Sequence, residues 1–202
     1  MTYDPYYYWN KIDKMFAENR EDGGSPIRVA EQKPENVIIK YKKPDPVWQK
    51  RIDEAWWSSK QISRSSEHEI EKKIWNRLIC FGGNEVCLPV HEDDADALLE
   101  RGQFWTSSNI CFEKMDPEKC HSNAAQVWKA SNKWTLENSH KKKIALATGY
   151  ALSGDGVWRQ HSWCVVRTPG KVRILETTEP RIVYYGFVMT DLEAEEFCNQ
   201  NL

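Results

Sequence analysis

Cys120, His161 and Glu176 are residue types that together can supply a nucleophile, a base and an orienting acid. A thiol attacks a carbonyl carbon as its thiolate, and both a helix N-terminus and a nearby imidazolium favour that form. A carboxylate on the other ring nitrogen fixes the tautomer and direction of the imidazole. The local sequence predicts an element suited to each role. Cys120 stands in KCHSNAAQVW, behind Asp116 as a good N-cap and Pro117 as a good first helical residue, with Ala124, Ala125, Val127 and Trp128 as an apolar face. His121 is a rival imidazole, but adjacent helical residues point in different directions, which sets it aside.

The elements that must carry the other two residues are strands. Residues 150–153 and 159–166 flank the turn sequence Ser153-Gly154-Asp155-Gly156, and Val166 and Val172 flank Thr168-Pro169-Gly170-Lys171. An antiparallel meander joined by tight turns is expected. With Pro169 and Gly170 at the centre of a two-residue turn, His161 pairs with Thr178 and Trp163 with Glu176. His161, Trp163 and Val165 then share a face with Ile174, Glu176 and Thr178, and Glu176 is a diagonal neighbour of His161. Changing the turn by one residue would send Glu176 to the opposite face.

The chain order Cys, His, acid resembles the papain-like and transglutaminase-like cysteine enzymes. The nearer pattern is the transglutaminase-like core: a Cys opening a helix, a strand with His161-Ser162-Trp163, and after a short hairpin an acid followed by Thr, here Glu176-Thr177-Thr178. Glu176 stands where the transglutaminase-like pattern usually has Asp and papain-like enzymes usually have Asn. The resemblance covers roughly the C-terminal two fifths of the chain. It implies a thiol enzyme acting on an amide or related acyl bond. Papain-like enzymes also place a Gln upstream of the Cys, where its side-chain amide joins the Cys N–H in an oxyanion hole. Gln103 and Asn109 are both open to that role, and spacing selects neither. Asp155 and Asp191 are lesser acid candidates. Trp158 and Trp163 are candidate walls of the site, and Arg181 and Tyr184 candidate substrate contacts on a strand over 181–188.

The chain of 202 residues suits one domain with an extension. Ten Trp, eight Tyr and six Phe mark an aromatic core. A net charge of −2 gives no reason to expect nucleic-acid binding. No apolar run is long enough for a bilayer and the N-terminus lacks a signal peptide's apolar core, so no membrane association and a cytoplasmic location are expected. The six cysteines are scattered and are expected as free thiols. A zinc site from Cys111, Cys120 and His121 lacks the usual ligand spacing, so no metal and no cofactor are expected.

Residues 1–44 read as an N-terminal extension, with aromatic residues at 3–9 that require a docking surface and one strand over 37–41. Residues 45–202 read as a single domain. Asp45-Pro46 opens a helix through 56 or 57, and Ser66 with Glu69 makes a capping box before the stripe Ile70, Ile74, Leu78, Ile79. Shorter helices are expected over 93–100, ended by Gly102, and over 191–197, capped by Thr190 or Asp191. The expected class is α+β: an N-terminal helical lobe packed on a mainly antiparallel sheet, with a papain-like or transglutaminase-like core. The expected function is a thiol-dependent hydrolase or acyltransferase on a protein or peptide-like substrate. A second reading, from another class, is an inactive module of the same fold that binds a protein partner.

Overall fold

The computed structural model describes Pro46 and residues 68–89, 91–106, 110–138, 143–168 and 171–202. The aromatic residues at 3–9, the strand over 37–41, Ser66, Asn109, the Pro169-Gly170 turn and the helix over 45–57, apart from helical Pro46, lie outside the described residues.

Helices and short strands are interspersed before a run of four strands and a closing helix. They are α1 (Glu69–Phe81), β1 (Glu85–Cys87), α2 (Ala95–Arg101), β2 (Gln103–Thr106), β3 (Ile110–Phe112), α3 (Cys120–Asn138), β4 (Lys143–Leu152), β5 (Val157–Thr168), β6 (Lys171–Glu176), β7 (Val183–Val188) and α4 (Asp191–Asn201). The seven strands among the described residues form one mixed sheet in the order β2-β7-β4-β5-β6-β3, with β1 attached to β5. The protein is thus α+β. The expected division into a helical lobe and then a sheet is corrected: β1, β2 and β3 interleave with the early helices and join the sheet through long-range pairings with β5, β7 and β6.

The central meander has the expected register. β5 and β6 pair Cys164 with Leu175 and Val165 with Ile174, as a two-residue turn requires. Between β4 and β5, Gly156 N–H donates to Ser153 O (3.0 Å) and Ser153 N–H to Val157 O (3.1 Å). Gly156 takes φ 83°, a left-handed value suited to glycine.

Alternation divides the strand residues between two clusters. Trp158, Cys164, Val166, Leu175 and Tyr185 face the helices, meeting Leu78 of α1, Leu98 of α2, Ala124 and Trp128 of α3 and Cys198 of α4. Trp105, Trp163, Val165, Ile174 and Tyr184 pack together on the other face. α1 starts at Glu69 behind His68, which makes no side-chain cap, and its buried stripe runs Glu71, Ile74, Leu78, Phe81, leaving Ile70 exposed. α4 carries a capping box, with Thr190 accepting from Glu193 N–H and the Glu193 side chain accepting from Thr190 N–H. Among the described residues no helix is long and apolar enough to cross a membrane.

Candidate active site

β5 is interrupted along one edge. β1 pairs with it at 157–159 and β6 at 164–168, so neither covers that edge over 160–163. The first turn of α3 meets β5 in this gap, where Ser162 N–H bonds the Cys120 sulfur. Cys120 is the first helical residue, three positions later than Asp116 and Pro117 suggest. Residues 116–119 instead form a turn, in which Glu118 adopts φ 59° and Asn123 Nδ2 reaches back to Asp116 O (2.7 Å). A first helical residue has no intrahelical acceptor for its N–H, so the Cys120 thiol and N–H both sit at the positive helix end.

His161 is buried on β5, and its Nε2 lies 2.8 Å from Glu176 Oε2. A carboxylate only accepts, so Nε2 carries the proton and Nδ1 is the nitrogen left for the thiol, which hydrogen-bonds this imidazole. Glu176 ends β6 with no exposed surface. Its Oε2 also accepts from the Tyr184 hydroxyl (2.9 Å), and its Oε1 accepts from Thr177 N–H (2.8 Å), Thr178 N–H (2.9 Å) and the Thr178 hydroxyl (3.0 Å). Tyr184 is held in turn by Arg181 N–H (3.0 Å).

The three groups set one another's charge. Burial works to raise the Cys120 thiol, but the hydrogen bond and charge of His161, with Ser162 N–H, turn the net shift downward. Burial pushes His161 down, yet the Glu176 charge and hydrogen bonds to Cys120 and Glu176 carry it well above the ordinary 6.5. Glu176, which burial would raise, is held well below the usual carboxylate range by the His161 charge and by hydrogen bonds from His161, Thr178 and Tyr184. The three shifts all act in the direction of thiolate, imidazolium and carboxylate. The other perturbed thiols go the opposite way: burial raises Cys87, Cys111, Cys164 and Cys198.

Cys120 and His161 line a groove of about 610 Å³ with Lys114, Arg159, Gln160 and Arg181. His121 and Gln160 also line a second hollow of about 530 Å³, walled by Glu92, Asp93, Asp94, Glu193 and Glu196. Arg159 is clamped by both carboxylate oxygens of Asp155 (2.8 and 2.5 Å), which removes Asp155 from the acid role. Arg181 lines the groove from just before β7, which starts at Val183, and bonds Ser153 Oγ (2.9 Å).

Several other expectations are corrected. Trp158 faces the helical core and donates to Gly82 O (2.7 Å), so it is no groove wall. Trp163 lies in the opposite cluster, stacked beside His161 at 6.1 Å between ring centroids, and supports the imidazole from within. Tyr184 is wholly buried and contacts Glu176 rather than the groove. Gln103 pairs with Gly186 on the far edge strand and does not line the groove with Cys120. Asp191 lies at the exposed start of α4. His121 turns away as expected, with Nδ1 2.7 Å from Ser162 Oγ, and burial and the His161 charge lower its pKa. Cys111 lies instead against Arg173 (3.9 Å). Sequence reasoning missed Gln160, the amide side chain in the groove, and the hold of Tyr184 and Thr178 on the acid. Gln160 beside His161 was a local signal; Tyr184 needed the β4–β7 pairing.

The chain matches no protein-family model, and neither a curated protein nor a solved structure is similar to it.

Proposed function

We propose that the chain is a thiol-dependent hydrolase or acyltransferase acting on amide bonds of a protein or peptide-like substrate, on a papain-like or transglutaminase-like core. The observation that carries this reading is the unbroken hydrogen-bonded line from Cys120 through His161 to Glu176, opening on a groove. Its residue types, their order and the direction of their pKa shifts are those that nucleophilic acyl transfer needs.

The Cys120 thiolate attacks the amide carbonyl, forming the S–C bond and moving an electron pair onto oxygen. The Cys120 N–H at the start of α3 is one donor for that oxyanion. As the tetrahedral intermediate collapses, the C–N bond breaks and the proton on His161 Nδ1 passes to the leaving amine. His161 then accepts a proton from water, or from an acceptor amine, as that nucleophile attacks the thioester. The C–S bond then breaks, which releases the acid or the new amide and regenerates the thiolate beside the His161 imidazolium. Glu176 keeps the Nε2 proton in place throughout and supports the imidazolium.

An electrophilic acyl probe, followed by mass-spectrometric mapping, tests the reading. Attachment is expected at Cys120 and to be lost in Cys120→Ala. Cys120→Ser and His161→Ala should each abolish turnover, with the double variant scarcely worse, because both residues serve one step. Predominant labelling of another cysteine, or turnover surviving in Cys120→Ser, would overturn the assignment and favour a binding module.

A further inference from the structure

The buried stripe of α1 begins with a carboxylate. Glu71 occupies the position ahead of Ile74 and Leu78 where an amphipathic helix carries an apolar residue, while Ile70 is exposed beside it. A buried carboxylate requires a partner that compensates for lost water. Two imidazoles converge on it, His68 from the residue before the helix and His91 from the loop after β1. His68 Nδ1 is 3.9 Å from Glu71 Oε2, beyond hydrogen-bond range, and this buried nitrogen has no hydrogen-bond partner. The His68 and His91 ring centroids are 5.4 Å apart, and one ligand atom from each of the three residues lies within 4.8 Å of the others.

We propose that His68, Glu71 and His91 form a binding site for a divalent transition-metal ion of the zinc class. Two imidazole nitrogens and one carboxylate oxygen are a zinc donor set, and the fourth position of a tetrahedron is open to water. Bonds of about 2.0–2.2 Å place tetrahedral donors roughly 3.4 Å apart, so the His68–Glu71 pair closes by about half an ångström on binding. The ion replaces an unmade contact with two bonds and takes up the Glu71 charge. It also fastens the start of α1 to the loop that carries Glu92. Glu92 accepts hydrogen bonds from Gln160 Nε2 (3.0 Å) and the Tyr150 hydroxyl, so the ion braces one wall of the second hollow. This site stands independently of the thiol chemistry.

The test is calorimetric titration of zinc chloride into the full chain freed of metal by chelator dialysis. The Cys120→Ala background is used because a thiol beside an imidazole also binds zinc. One equivalent should bind, and the melting temperature should rise with zinc concentration. His91 is exposed, so His91→Ala should leave the metal-free melting temperature unchanged. It should weaken zinc binding by at least about 100-fold, the upper range for loss of a mere supporting group around a metal. Cobalt(II) in place of zinc should show d–d absorption without a thiolate charge-transfer band. Absence of binding, one-equivalent binding unchanged in His91→Ala, or a thiolate band would each overturn the proposal.

Discussion

Glu176 accepts five hydrogen bonds while fully buried, so its two oxygens are not interchangeable with an amide. In Glu176→Gln the new NH2 group faces N–H or O–H donors at whichever oxygen position it takes. On sequence alone this substitution is expected to preserve folding and slow only acylation. With these contacts a stability loss of about 1–3 kcal/mol is expected as well. Urea unfolding and the single-turnover acylation rate, measured on the same sample, should both fall; unchanged stability would mean that the donors had found other partners. That Cys120, His161 and Glu176 come together was legible because residue type and local spacing suffice to nominate them. The roles of Trp158, Trp163 and Tyr184 were not, because whether an aromatic strand residue lines a groove or packs behind it depends on which strands lie on either side.

Among the elements, the β4–β5–β6 meander was legible because its turns and alternation lie in one continuous stretch. β1, β2 and β3 are three or four residues long, too short to establish a period, and their partners lie far along the chain. One requirement visible only after pairing is the close approach of β4 and β7 at Gly149 and Gly186. A Cβ on Gly186 would stand 2.1 Å from Thr148 O and 2.8 Å from the Trp163 ring. Gly186→Ala should therefore destabilise the protein by about 1–3 kcal/mol through overpacking. It should also lower turnover, because the displaced Trp163 ring stacks against His161. The urea midpoint and kcat together check this; a variant as stable and as active as the parent would show that the strands can separate freely.

At the scale of the whole molecule, the buried charges predict how stability and activity depend on pH. Glu176 is depressed on folding, so its contribution is present above its ordinary value of 4.5 and is lost as pH falls through the folded value. His161 is elevated, so its contribution is full below its ordinary value of 6.5 and is lost as pH rises through the folded value. The stabilisation from Glu176 and His161 together should be greatest between those ordinary values. A profile of kcat/KM should have its acid limb below the ordinary thiol value of 9.0 and its alkaline limb well above 6.5, because the thiolate–imidazolium pair persists between the shifted values. An alkaline limb at the ordinary imidazole value would show that Glu176 does not support the charge. The groups that lower the Cys120 thiol, His161 and Ser162, and the Glu176 and Tyr184 that support His161, all follow it in the chain. A nascent chain that has emerged only as far as α3 therefore carries an ordinary cysteine, without the partners that make it reactive. On the proposed function, the order of residues separates synthesis of the nucleophile from its activation.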